Sequence, residues 1–363
     1  MGRSAHLHAE VLVHRGGIVE SRHRVQCAVV AAGGEPVAGA PGGAWADTSG
    51  VTDVTGVTDV TGVTSFRSSA KPFQLLPLVE RGHADQLHCS EAELAIMAAS
   101  HSGSRQHLAL VRGLLERIGR TSADLACGYH EPMDAESLED VRRDPSLRSP
   151  LYNNCSGKHA GMLALAKAEG WPAAGYERLE HPLQQLMLRT VAECCGVAPG
   201  SLQLGVDGCS VPVFGLELAA MASGYARLAA AMAGGGDARA LALRRIGRAM
   251  VAEPVVVEGT GRLATDLMLA AHGRILAKSG AEGLLLVAEP ATARGIAIKC
   301  EDGAMRAMGP AAIELLVALG VLRADEAESL AAHRRPVVAD AAGHPVGWLE
   351  GRVDSLATHD IRA

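Results

Sequence analysis

What most limits this fold is where the strand-like segments fall: they cluster at the two ends of the chain and leave a helical middle. Residues 11–13, 25–31 and 36–40 are short apolar or β-branched runs, separated by the turn signals Gly16-Gly17 and Gly33-Gly34. Towards the other end, residues 274–277, 283–288 and 295–299 read the same way, and 337–352 offers a last edge strand. Between them, residues 70–81, 90–99, 106–118, 155–169 and 182–195 carry helical periodicity. Four of these segments stop at a glycine: Gly82, Gly119, Gly170 and Gly196. Ser90 followed by Glu93 has the spacing of a capping box. Further helices are expected over 211–231, 238–251, 310–321 and 324–333. This order predicts an α/β (α+β) architecture in a single 363-residue domain. A sheet lobe, about 1–66 and 200–363, would be built from both termini, with a helical lobe, about 67–199, inserted between them.

Charge and cysteine usage narrow the partners. The chain carries a net charge of −6 and no dense lysine or arginine tract, so nucleic acid and anionic membrane are poor partners. No apolar stretch is long and charge-free enough to cross a bilayer, and the first ten residues lack a signal-peptide core, so a cytoplasmic protein is expected. Eight scattered cysteines then read as reduced thiols rather than as a disulfide framework. The hexapeptide Val-Thr-Asp-Val-Thr-Gly occurs at 51–56 and again at 57–62. Two copies this short cannot stack into a solenoid, and the repeat reads as a surface-loop insertion.

Chemistry concentrates at the lysines. Of 34 basic side chains only five are lysine: Lys71, Lys158, Lys167, Lys278 and Lys299. Arginine stays charged in proteins, whereas a buried lysine can lose its proton and act as a base. Ser68 and Lys71 form an S-x-x-K motif at the start of a predicted helix, where i, i+3 spacing sets both on one face. Ser68 there is either a helix cap or a nucleophile activated by a neutral Lys71. Ser100-His101-Ser102-Gly103 and Lys278-Ser279-Gly280 follow in the order in which β-lactamase and penicillin-binding enzymes place their second and third motifs. Three parts in order favour nucleophilic catalysis. Cys155 and Lys158 share the first turn of another predicted helix, with His159 beside them, and Asp207-Gly208-Cys209-Ser210 supplies a second thiol on a turn. Spacing alone leaves these as buried structural thiols or as a zinc site with nitrogen and sulfur ligands.

The segments at 15–24 (Arg-Gly-Gly-Ile-Val-Glu-Ser-Arg-His-Arg), 66–74 (Phe-Arg-Ser-Ser-Ala-Lys-Pro-Phe-Gln) and 99–103 (Ala-Ser-His-Ser-Gly) carry a family resemblance. So do 153–162 (Asn-Asn-Cys-Ser-Gly-Lys-His-Ala-Gly-Met), 205–210 (Gly-Val-Asp-Gly-Cys-Ser) and 277–283 (Ala-Lys-Ser-Gly-Ala-Glu-Gly). Together they resemble the asparaginase II family of the rhizobial inducible type. The resemblance implies a fold like that of serine β-lactamases and glutaminases, with an antiparallel sheet lobe and a helical lobe. It also implies a homodimer and hydrolysis of L-asparagine to aspartate and ammonia. It makes Ser68 the nucleophile with Lys71 beside it, and Ser100 with Lys278 a second serine–lysine pair. Cys155, Lys158 and Cys209 match zinc ligands, with Asp207, His159 and Arg67 as polar support. The repeat at 51–62 departs from the shorter connection expected in relatives. Two rival readings stay open on sequence: a penicillin-recognising serine hydrolase, and a non-catalytic zinc-binding protein of the same fold.

Overall fold

A computed structural model describes residues 7–32, 51–53 and 62–355. The expected strand at 36–40, the turn at Gly33-Gly34 and repeat residues 54–61 lie outside the described residues. The chain divides into two compact units, one of residues 1–64, 216–230 and 266–363, the other of 65–215 and 231–265.

The first unit is built on a sheet whose strands run in the order Val337–Ala339, Pro345–Ser355, Leu7–Arg15, Ile18–Ala31, Arg294–Cys300, Leu284–Glu289, Leu276–Gly280, with Val51–Asp53 added beside Ile18–Ala31. The strand pairs described are antiparallel. Leu7–Arg15 turns into Ile18–Ala31 at Gly16, whose φ of +56° is a conformation that glycine adopts without a Cβ penalty. Leu7 pairs with Ser355 and Arg15 with Gly347, so strands far apart in the sequence lie side by side, second and third in the sheet order. The single edge strand expected over 337–352 is therefore two strands. Asp340 to His344 form the turn between them, with the Asp340 N–H donating to the His344 carbonyl at 2.9 Å.

Leu284–Glu289 is buried at every position, as a strand covered on both faces must be. One cover is the helix Leu218–Ala233, which crosses so closely at Gly295 that an added Cβ would stand 1.9 Å from the Ala222 carbonyl oxygen. Met305–Ala318 packs on the strands Leu7–Arg15, Leu284–Glu289, Arg294–Cys300 and Pro345–Ser355. It starts five residues before the expected 310, because Pro310 is accommodated inside the helix. The helix expected over 324–333 is two short ones, Ala324–Ser329 and Ala331–Arg334.

In the second unit, Lys71–Glu80 packs against Ser156–Ala168, Pro182–Cys195 and Ala238–Ala252. The Ser90–Glu93 capping box forms with both bonds in place: the Ser90 N–H donates to Glu93 at 2.9 Å and the Glu93 N–H to Ser90 at 3.2 Å. Pro182–Cys195 ends on Gly196 in the left-handed region, as its glycine stop predicts. The stretch expected to be helical from 211 opens instead with the strand Pro212–Glu217, whose buried positions alternate. Period-two burial with Val213 and Phe214 overrides the helical reading there. The helices Ala135–Arg143 and Leu263–Ala270 were not foreseen. Among the described residues, no helix is long and apolar enough to cross a membrane.

Candidate active site

Ser68 lies in the short 3-10 turn Arg67–Ala70, which runs straight into the helix Lys71–Glu80, and the Lys71 N–H donates to the Ser68 carbonyl. The motif residues thus occupy one continuous turn. Two constraints hold it. The Phe66 N–H donates to the Phe214 carbonyl at 2.8 Å, and Arg67 sits at φ +45°, a left-handed conformation that a non-glycine residue holds only at a cost of about 1–3 kcal/mol. Arg67 is tied down through an ion pair with Asp207 at 3.1 Å.

Lys71 is buried, and its Nζ faces oxygens from two other segments. Nζ donates to the Ala99 carbonyl at 2.5 Å, to Ser100 Oγ at 3.0 Å and to the Asn154 carbonyl at 3.4 Å. Lys71 therefore meets the second serine of the expected constellation directly. The loop that carries Ser100 is fixed on both sides. The Ser100 N–H donates to the Val257 carbonyl at 2.8 Å. The Gly103 N–H donates to His101 Nδ1 at 3.1 Å, so the ring proton is on Nε2 and is donated to Ser156 Oγ at 2.8 Å. The Ser156 hydroxyl passes the chain on to the Leu151 carbonyl at 2.9 Å. Burial, followed by neighbouring His107 and Lys71, holds His101 well below the ordinary histidine range. This neutral histidine couples the Ser100 loop to the first turn of Ser156–Ala168.

That same turn carries the thiol cluster. Asn153 shapes its start: Oδ1 accepts from the Cys155 N–H at 2.9 Å, while Nδ2 donates to the Cys127 carbonyl at 2.8 Å. Gly157 lets the helix approach Glu91–Met97, since an added Cβ would lie 2.1 Å from the Ile96 carbonyl oxygen. Lys158 Nζ donates to Cys209 Sγ at 3.0 Å, and Cys155, Lys158 and Cys209 are all buried. Cys209 stands in a tight turn, closed by the Ser210 N–H to the Asp207 carbonyl at 2.9 Å, with Ser210 at φ +74°.

The electrostatics of this cluster follow from its contacts. A hydrogen bond from Cys209, then Lys158, pulls the Cys155 thiol well below its usual value against the effect of burial, and the same bond raises Cys209. Burial opposes the charge on Lys158, but the Cys155 and Cys209 sulfurs and Asp207 outweigh it and raise its pKa. Burial would likewise raise Asp207, yet Lys158 and Arg67 keep its carboxyl low. Nearby Cys127 is an ordinary buried thiol, pushed up to about 12 by burial. Two sulfurs and an amine therefore converge here with protons held between them.

His159, next to Lys158, faces away into a separate contact: its Nδ1 meets the Tyr176 hydroxyl at 2.6 Å, and that hydroxyl accepts from the Ala126 N–H at 2.9 Å. Its Nε2 is buried without a hydrogen-bond partner. Ser68, Lys71, Ser100, Cys155, Lys158, His159, Asp207, Cys209 and Arg67 all belong to the second unit. Lys278 belongs to the first, buried on the strand Leu276–Gly280, where its Nζ donates to the Ser279 carbonyl at 2.9 Å. Sequence reasoning passed over His101, although it stands inside the Ser100–Gly103 motif, and Asn153, which opens the Cys155 block. The Ala99 and Asn154 carbonyls carry no side-chain signal to read.

A profile of the L-asparaginase II family matches residues 11–350, nearly the whole chain. The chain belongs to the L-asparaginase II family. Membership and the antiparallel sheet with its helices together give a β-lactamase-like fold. They also make the protein an asparaginase-type hydrolase acting on a small molecule. No curated protein matches the chain.

Proposed function

We propose that this L-asparaginase II family member hydrolyses L-asparagine to L-aspartate and ammonia through an acyl-enzyme on Ser68. The observation that carries the reading is Lys71: buried, one turn after Ser68, with its amine 3.0 Å from Ser100 Oγ. Ser68 Oγ attacks the side-chain carboxamide carbon while Lys71 takes the hydroxyl proton. Backbone N–H groups of the turn stabilise the oxyanion, and the Arg67–Asp207 ion pair holds that turn in shape against the strain at Arg67. The C–N bond then breaks, and the proton that Lys71 took passes through Ser100, 3.0 Å away, to the leaving ammonia. Water cleaves the ester and releases aspartate, restoring Ser68.

Cys155, Lys158 and Cys209 would hold zinc in this reading, and its charge would orient the polar groups of the substrate. Asp207 supports both halves of the site, through Arg67 on the Ser68 turn and through its own turn on Cys209. The assembly proposed is a cytoplasmic homodimer, which the mass of the purified protein in solution would test.

The substrate test is ammonia release by the purified protein with zinc present, L-asparagine against L-glutamine. Turnover of asparagine far above glutamine is expected. Equal turnover, or preference for glutamine, would overturn the substrate assignment while leaving the amidohydrolase class intact.

A further inference from the structure

A second set of ligand-type side chains lies in the sheet unit and takes no part in the proposed reaction. His23 is on the strand Ile18–Ala31, Cys300 ends the strand Arg294–Cys300, and Asp302 follows in the next turn. Val25 pairs with Cys300 across the ladder, and His23 stands two residues from Val25, so His23 and Cys300 share one face of the sheet. The turn brings Asp302 back over them. It is closed by the Gly303 N–H to the Cys300 carbonyl at 3.1 Å and the Ala304 N–H to Asp302 Oδ1 at 3.0 Å, with Gly303 at φ +76°. One nitrogen, one sulfur and one carboxylate oxygen thereby fall within 4.8 Å of one another. Among the described residues, this is the one group of histidine, cysteine and acidic side chains that converges in this way.

The proton arrangement makes the cluster specific. Arg306 Nε donates to His23 Nε2 at 3.1 Å, so the neutral ring carries its proton on Nδ1 and gives it to Asp302 Oδ2 at 2.6 Å. Cys300 Sγ donates to the other oxygen, Oδ1, at 3.1 Å. Each contact therefore holds a proton between two atoms that are good metal donors. A tetrahedral zinc, with bonds of about 2.0 Å to nitrogen and oxygen and about 2.3 Å to sulfur, needs donors roughly 3.3–3.6 Å apart. Small side-chain movements reach that spacing. His23 and Cys300 are buried while Asp302 is exposed, which leaves a route from solvent.

We propose that His23, Cys300 and Asp302 bind a thiophilic divalent cation of the zinc type, at a site built from residues other than Cys155, Lys158 and Cys209. The cation replaces the Cys300 thiol proton, which goes to solvent. It also replaces the His23 Nδ1 proton, and the ring takes up a proton at Nε2 and stays neutral. One proton is released per ion and nothing is oxidised. An N–H at Nε2 cannot face the Arg306 N–H, so Arg306, which is exposed and also bonded to Ser21 Oγ at 3.2 Å, must swing away. Arg306 is thus a built-in competitor of the cation. The three ligands leave a fourth position for water.

The test is a cobalt titration of metal-stripped full-length protein, reading equivalents bound and the thiolate-to-cobalt charge-transfer absorbance. Cys300→Ser is expected to lose one equivalent relative to wild type, with its share of the absorbance. Asp302→Asn should weaken that equivalent at least tenfold, and Arg306→Ala should tighten it. Cys209→Ser, which disables the other cluster, should leave it in place, so failure here and failure of the active-site zinc are distinguishable. Equal cobalt capacity in wild type and Cys300→Ser would overturn the proposal. Should Cys300→Ser not fold, unchanged capacity and affinity in Asp302→Asn, altered only at an exposed carboxylate, would overturn it equally.

Discussion

His101 and His107 show how single side chains set the pH behaviour of this site. Their rings stack at 5.0 Å, and both are fully bonded as neutral groups; His107 Nδ1 accepts from the Ser104 N–H at 3.1 Å. Burial keeps both below the ordinary histidine value of 6.5. Unfolded, each takes a proton near that value, so below it the unfolded chain binds more protons than the folded one. Stability must then fall as pH drops below about 6.5, by up to about 1.4 kcal/mol per pH unit for each ring until its folded pKa is reached. Urea midpoints at pH 7.5 and 5.5 should show the loss, with a shallower one in His107→Gln. A chain as stable at pH 5.5 as at 7.5 would contradict the neutral assignment. The sequence made Lys71 and the Cys155 block legible because both sit in dense motifs. It could not reveal that the Ala99 and Asn154 carbonyls hold the Lys71 amine beside Ser100, since a carbonyl is the same in every residue.

Among the elements, Ser156–Ala168 carries the most consequence. It presents Cys155 and Lys158 at its first turn, receives the His101 bond on Ser156, and is buried along nearly its whole length. Its approach to Glu91–Met97 depends on Gly157, where a Cβ would overlap the Ile96 carbonyl. Gly157→Ala should therefore destabilise the protein by about 1–3 kcal/mol, the usual cost of overpacking a close contact. Chemical denaturation measures it, and a stability change within about 0.5 kcal/mol would show that the helices part freely. The sequence shows half of this constraint: Gly157 sits in a dense motif, but its partner Ile96, more than sixty residues earlier in the chain, carries no such signal. Element types survived best where glycine stops and capping residues agreed, as at Ser90 and Gly196. They failed at 211–217, where an apolar run suited both periods and only its pairing with Gln203–Val206 settled the matter.

At the scale of the whole molecule, the sheet joins an early strand of the sequence to a late one. Pro345–Ser355 pairs with Leu7–Arg15 on one side and Val337–Ala339 on the other, an arrangement foreshadowed by strand-like segments at both termini. Ending the chain after His344 would strip the partner from both neighbours and leave an open apolar edge. Such a truncation should lose its cooperative thermal transition and aggregate; a soluble protein with an unchanged midpoint would show that the pairing is dispensable. Fold and family were thus legible from segment order and motifs, whereas register and strand count came only from pairing. The central claim is that this fold presents Ser68 as a nucleophile served by Lys71. The most direct measurement is ammonia release from L-asparagine by wild type beside Ser68→Ala and Lys71→Met, with circular dichroism to check folding. Loss of a nucleophile costs on the order of 10⁶ in turnover and loss of a general base about 10²–10⁴, so both variants should fall to that extent while staying folded. Full turnover by Ser68→Ala would contradict the account.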